Sequence, residues 1–140
     1  MNAQFKLVNI IETEYSVNLN AVHTPIVNIA YQIGQEFYPI FEANQLDIIV
    51  HARFVDKGTR AELVHNAVKL SFSLIPLKDI VQLDDDKGIK TNSPQIVDTL
   101  VNVSYGTLRG ILYKNLSNTP YSKVYLPLIP SNVYSMKKNK

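Results

Sequence analysis

Residues 92–130 constrain the fold more than any other stretch of this chain. Asn92 or Ser93 can cap the free amides of a helix, and Pro94 suits its first position, where a missing N–H costs nothing. Ile96, Val97, Leu100, Val101, Ser104, Leu108, Ile111 and Leu112 then recur at three- and four-residue spacing. That is one apolar stripe at the helical period, and it predicts a helix from Pro94 to Leu116. Gly106 and Gly110 lie four apart on a neighbouring face. Each costs about 1 kcal/mol relative to Ala inside a helix, so the pair predicts close backbone approach by a sheet or a second helix. Residues 115–120 stop the helix. Residues 121–130 read as extended, apolar and aromatic, and Pro127 and Pro130 bar them from the middle of a sheet.

Upstream the period changes from helical to two. Phe5 and Leu7 share a face, as do Tyr15, Val17 and Leu19, and the phase change between them predicts a bulge or turn near residues 10–12. Val27, Ile29, Tyr31 and Ile33 alternate with polar or small residues. Leu46, Ile48, Val50, Ala52 and Phe54 form one arm of a hairpin, and Val64, Val68, Leu70, Phe72 and Leu74 the other. Between the arms, Gly58 in the turn 56–59 is the residue expected to take positive φ. Residues 15–19, 26–33, 46–55 and 60–74 therefore predict a four-stranded antiparallel sheet. Strands followed by one long helix argue an α+β fold with the helix packed on one sheet face. The aromatic segment 34–44 reads either as a connection that folds back onto the core or as an apolar crossing segment that lines a binding surface. Residues 77–92 are the most polar connection. No repeat or linker divides the 140 residues, so a single domain over 1–140 is expected.

Composition excludes most chemistry. There is no Cys, hence no disulfide framework, thiolate metal site or thiol nucleophile. The net charge is +2, but Lys137, Lys138 and Lys140 supply three cations at the end, and the remainder is near neutral. No basic face for nucleic acid is expected. His51 and His65 stand on the two hairpin arms as expected cross-strand neighbours, and His23 lies in a loop. Neither a third ligand nor a recognised spacing makes these a metal site. Asp84, Asp85 and Asp86 lack the spread of ligands of a calcium loop and read as a solvated turn. No nucleophile elbow, phosphate loop or acid/base pair is present, so no enzyme, catalytic residue or cofactor is expected. The first residues carry no signal-peptide pattern and no apolar run could span a bilayer, which reads as a cytoplasmic protein without integral membrane contact.

What remains is a surplus of apolar and aromatic side chains, Phe37, Tyr38, Phe41, Tyr121, Tyr125, Leu126, Leu128, Ile129 and Tyr134, in segments that one helix and one sheet need not cover. They either pack the helix–strand junctions and an oligomer interface or line a groove for non-native polypeptide. Residues 104–130, SYGTLRGILYKNLSNTPYSKVYLPLIP, resemble the end of the main helix and the Pro-containing apolar run, of the kind L-P-[IL]-[IV]-x-P, of the SecB-like protein-export chaperones. Weaker similarity extends back to about Phe5. The resemblance implies a dimer of dimers that holds unfolded precursors in apolar grooves without ATP and passes them to the SecA motor. It implies client contact at Phe37, Tyr38, Phe41, Tyr121, Tyr125, Leu126 and Leu128, and more weakly a docking face at Glu12, Glu14 and Asp47. The chain departs from the family after Pro130, where residues 131–140 are too short for a second packed helix and KKNK replaces an acidic tail. One dedicated partner, such as an antitoxin, or plain self-assembly would also fit.

Overall fold

The computed structural model describes residues 4–21, 25–84 and 88–128. His23, Asp85, Asp86, Ile129, Pro130, Tyr134 and the terminal lysines lie outside them. Period-two alternation builds four long strands: β1 (Gln4–Val17), β2 (Ile29–Ile40), β3 (Gln45–Asp56) and β4 (Glu62–Ile75). They pair antiparallel in the order β1-β4-β3-β2. After β4 come a single helical turn, α1 (Leu77–Ile80), and a small hairpin, β5 (Val81–Leu83) with β6 (Ile89–Thr91). The long helix α2 (Pro94–Leu116) follows. The architecture is α+β, a four-stranded antiparallel sheet with one long helix on one face.

Register fixes which residues face α2. Leu46, Ile48 and Val50 oppose Phe72, Leu70 and Val68, and all six are buried. Extended outward, this row places Phe37 of β2 opposite Ile48, and Leu7 and Ile10 of β1 opposite Phe72 and Leu70. From α2 the core receives Val97, Leu100, Val101, Leu108, Leu112 and Leu116, with Ile96 and Ile111 packed at its margin. The predicted stripe is thus the buried stripe.

Several expectations are corrected. β1 is one continuous strand, and the phase change arises from two bulges, at Val8 and Thr13. Each inserts one residue and returns the following side chains to their proper faces. Leu19 belongs to a short 3-10 turn rather than a strand. Segment 34–44 is no crossing connection: β2 runs through Phe37 and Tyr38 to Ile40, then turns at Phe41–Ala43. Asn44 closes that turn in the left-handed region, φ 49°, and its side chain accepts from the Leu77 amide at 3.0 Å. In the β3–β4 turn it is Arg60, φ 63°, and not Gly58, that takes positive φ. Asp56 organises that turn by accepting from the Gly58 and Thr59 amides at 2.8 and 3.1 Å. Ser93 is the cap residue of α2, yet its side chain makes no capping bond.

Two polar ties hold α2 to the outer strands. Tyr105 Oη donates to Gln35 Oε1 on β2 at 2.9 Å, and burial pushes its phenol pKa up to about 12. At the other edge Asn66 of β4, fully buried, donates to Glu12 Oε2 at 2.8 Å and to the Glu14 carbonyl at 2.7 Å beside the Thr13 bulge. Asn115 of α2 donates to Glu12 Oε2 at 2.6 Å and to Asn66 Oδ1 at 3.0 Å. Tyr15 Oη donates to the Asn115 carbonyl at 3.1 Å. Removing Asn66 takes away the donor shared by Glu12 and the Glu14 carbonyl and the acceptor of Asn115. Asn66→Ala is expected to cost about 2 kcal/mol, read as a lower urea midpoint at unchanged slope. Wild-type stability in Asn66→Ala would show that the cluster ties nothing down.

Candidate polypeptide-binding groove

The face of α2 turned from the sheet carries Gly106, Gly110 and Tyr113, four and three residues apart and hence in line. Nothing occupies the space where a Cβ on Gly110 would stand within 4 Å, and Gly106 would meet only Arg109 Nη1 at 3.9 Å. The close approach expected from these glycines does not occur among the described residues. They open a groove instead.

The opposite wall is the strap that follows α2, residues 117–128. Tyr121 anchors it, buried in the core with Oη donating to the Asn18 carbonyl at 2.6 Å. Val124 packs at the core margin and Leu126 is buried. Arg109 reaches across from α2, Nε donating to the Leu126 carbonyl and Nη2 to the Pro127 carbonyl, each at 3.0 Å. Tyr125 stacks on Tyr113, ring centroids 6.2 Å apart and planes 20° apart. An open apolar groove of about 530 Å³ remains between Gly106, Gly110 and Tyr113 on one side and Val124 and Tyr125 on the other.

The structure divides the residues expected to touch a client. Tyr125 stands on the rim at 60% exposure, Leu128 lies just beyond it at 83%, and Leu126 plugs the base. Tyr121 is a core anchor. Phe37 and Phe41 are half-buried against the core and do not line this groove. Tyr38 points to the sheet face away from α2, exposed, and donates to Glu36 Oε1 at 3.3 Å. Gly106, Arg109, Gly110 and Tyr113 were missed as site residues. Two costly glycines on an outward helix face were the available signal.

Glu12, Glu14 and Asp47 do not form one docking face. Glu12 faces the α2 side, engaged by Asn66 and Asn115. Glu14 and Asp47 lie on the opposite side, and Asp47 is buried, accepting from Gln45 Nε2 at 2.8 Å.

On that outer side His51 and His65 are neighbours, ring centroids 6.1 Å apart and edge-to-face. His65 Nδ1 lies 3.4 Å from Glu14 Oε1, while His51 Nδ1 is buried without a hydrogen-bond partner among the described residues. The His51 ring lies against Gly34, directly opposite on β2, where any Cβ would collide with it. Burial lowers the His51 pKa below 6.5, as do Arg53 and His65, against an opposing pull from Glu36. The unfolded chain therefore takes up this proton first. The associated stability is intact above about pH 6.5 and is lost as pH falls through the lower folded-state value. His51→Gln is expected to flatten melting temperature against pH between 7 and 5; an unchanged slope would remove His51 as its cause. Gly34→Ala is expected to destabilise by about 1–3 kcal/mol, and to do so far less in a His51→Ala background. Equal losses in both backgrounds would mean that the ring does not set the glycine requirement. No group of three or more potential metal ligands occurs among the described residues.

No family model matches this chain, nor does any curated protein. Among solved structures it is similar to the Mycobacterium tuberculosis SecB-like chaperone Rv1957, determined in complex with a ChAD peptide from the HigA1 antitoxin Rv1956. The TM-score is 0.55 at 11% identity, covering 89% of this chain and 90% of that one. A protein of unknown function from Streptococcus agalactiae matches at TM-score 0.35 and 15% identity, over 91% and 99% of the two chains. The fold is therefore SecB-like. No helix among the described residues is long and apolar enough to cross a membrane.

Proposed function

We propose that this chain is an ATP-independent holdase that takes extended, unfolded polypeptide into the groove between α2 and the strap. The observation that carries this reading is the open apolar groove itself, with Tyr125 and Leu128 left in water beside it. Its volume suits a few side chains of a client and not a folded partner. Each groove then binds weakly, and a long client gains affinity by occupying several grooves of an oligomer such as a dimer of dimers. The SecB-like fold and the antitoxin peptide bound by the Mycobacterium tuberculosis protein support a polypeptide client. Precursors passed to SecA and one dedicated antitoxin are both clients of this kind. The reading involves no covalent chemistry and no cofactor.

At near-stoichiometric ratio the protein is expected to suppress aggregation of a denatured model substrate; ordinary aggregation at several-fold excess would end the proposal. Gly110→Leu separates the groove from the fold. The new side chain meets open space and removes a helix-interior glycine, so stability should hold or rise by up to about 1 kcal/mol. Suppression of aggregation should be lost. A Gly110→Leu protein that still protects its substrate would place the client elsewhere.

A second reading, in which apolar surface serves self-assembly, is favoured by β1. This edge strand is exposed along nearly its whole length, with Phe5, Leu7, Val8, Ile10 and Ile11 all more than 40% exposed. An unpaired edge of this length invites another strand. Antiparallel pairing of two copies about Ile10 sets Lys6 of one opposite Glu14 of the other on the same sheet face, and Phe5 opposite Tyr15 on the α2 side. Lys6→Glu should weaken the dimer in sedimentation velocity, and Lys6→Glu with Glu14→Lys should restore it. Indifference to both changes would exclude this register.

A further inference from the structure

The groove carries a charge that the chain's overall balance conceals. Before Thr99 the sequence has eight basic and all twelve acidic residues; from Thr99 onward it has six basic residues and no acidic one. The near-neutral body expected from composition is therefore two regions of opposite sign. The structure makes both walls of the groove from residues 106–126 of the second region, because the last turns of α2 and the strap are consecutive and fold back on each other. Arg109 gives its donors to two backbone carbonyls, which leaves its charge unneutralised. Lys114 and Lys123 are both exposed, and each adjoins a lining residue in the chain, Tyr113 on α2 and Val124 on the strap. The ion pairs among the described residues, Arg53–Glu62 and His65–Glu14, both lie on the sheet. Glu12, the carboxylate tied to this part of α2, is engaged on the Asn115 side by two amides.

We propose that the groove selects apolar segments flanked by Asp or Glu. This rests on the holdase reading and names its substrate class. Aromatic walls and the bare glycine surface take the central apolar side chains. Acidic residues before and after them face Lys114 and Lys123 across the rims. Such exposed pairs are individually weak, so their effect is discrimination more than affinity: acidic flanks gain a little at each end, while basic flanks are repelled at both. Charge of one sign on both rims also speeds encounter with acidic chains and slows it with basic ones. Nucleic acid is the competing anionic partner. Its grip needs a longer run of cations than three, and the groove between them is apolar.

The test uses three fluorescent peptides with one apolar core flanked at both ends by Asp, Ser or Lys, titrated by anisotropy at low and at molar salt. The Asp-flanked peptide is expected to bind about tenfold tighter than the Ser-flanked one, and the Lys-flanked peptide weakest, with the order compressed in molar salt. The double variant Lys114→Glu, Lys123→Glu should invert the order, whereas Lys90→Glu, on β6 and adjoining no lining residue, should leave it unchanged. Equal affinities, or an order that survives the double variant, would overturn the charge selectivity and leave the holdase reading standing. Failure of all three peptides to bind would sink the holdase reading and this proposal with it. A single-stranded oligonucleotide that displaces the Asp-flanked peptide more effectively than unlabelled peptide would overturn the polypeptide assignment of the rims.

Discussion

One helix is laid on a sheet that is too large for it. Strands of 12 and 14 residues extend roughly 40 to 48 Å, and four of them side by side present about 15 to 20 Å of width. α2, with 23 residues, is roughly 35 Å long and about 10 Å across. It covers a diagonal band, tied to β2 through Tyr105 and Gln35 and to β1 through Asn115, Glu12 and Asn66. The ends of the band's opposite corners stay bare, Phe5, Leu7 and Ile10 on β1 and Tyr31 and Ile33 on β2. Exposed apolar surface is therefore a geometric consequence of this fold and not an excess in the composition. A β bulge helps β1 to accept the arrangement, because Thr13 frees the Glu14 carbonyl for Asn66.

The same economy operates above α2. A strap of a dozen residues cannot build a second layer, so it is held at two points, by Tyr121 at the β1–β2 connection and by Arg109 at the Leu126 and Pro127 carbonyls. Between them the strap stands off the glycine face. A hydrophobic closure of that gap would require Tyr125 to leave Tyr113 and the carbonyls to give up a guanidinium, and neither loss has a replacement among the described residues. The groove persists because the Arg109 bonds to the two carbonyls and the Tyr113–Tyr125 stack together set the distance between its walls.

Much of the core was legible because burial repeats at fixed periods. The stripe from Val97 to Leu112 and the even positions of β3 and β4 could be read residue by residue, and so could the nearness of His51 and His65, which the register makes diagonal neighbours across the hairpin. The edges were less legible. β2 was expected to end at Ile33, since Gly34 and Pro39 break the alternation, yet Gly34 is kept in the strand by the His51 ring lying on it. Ser93 and Gly58 have the residue types of a cap and a positive-φ position, but the Ser93 carbonyl rather than its side chain accepts from the Ile96 and Val97 amides, and Arg60 takes the positive φ.

By itself the sequence determined the class of fold, the helix and its buried stripe, and the separation of charge at Thr99, since each depends only on the order and spacing of residues along the chain. Only the tertiary structure decided that Gly106 and Gly110 face open space, that Phe37 and Tyr38 belong to a strand with opposite exposures, and that Glu12 serves α2 rather than solvent. Those outcomes depend on which distant segment arrives at a surface, and on how far a single helix can reach across four strands. Periodicity along one segment carries no information about either.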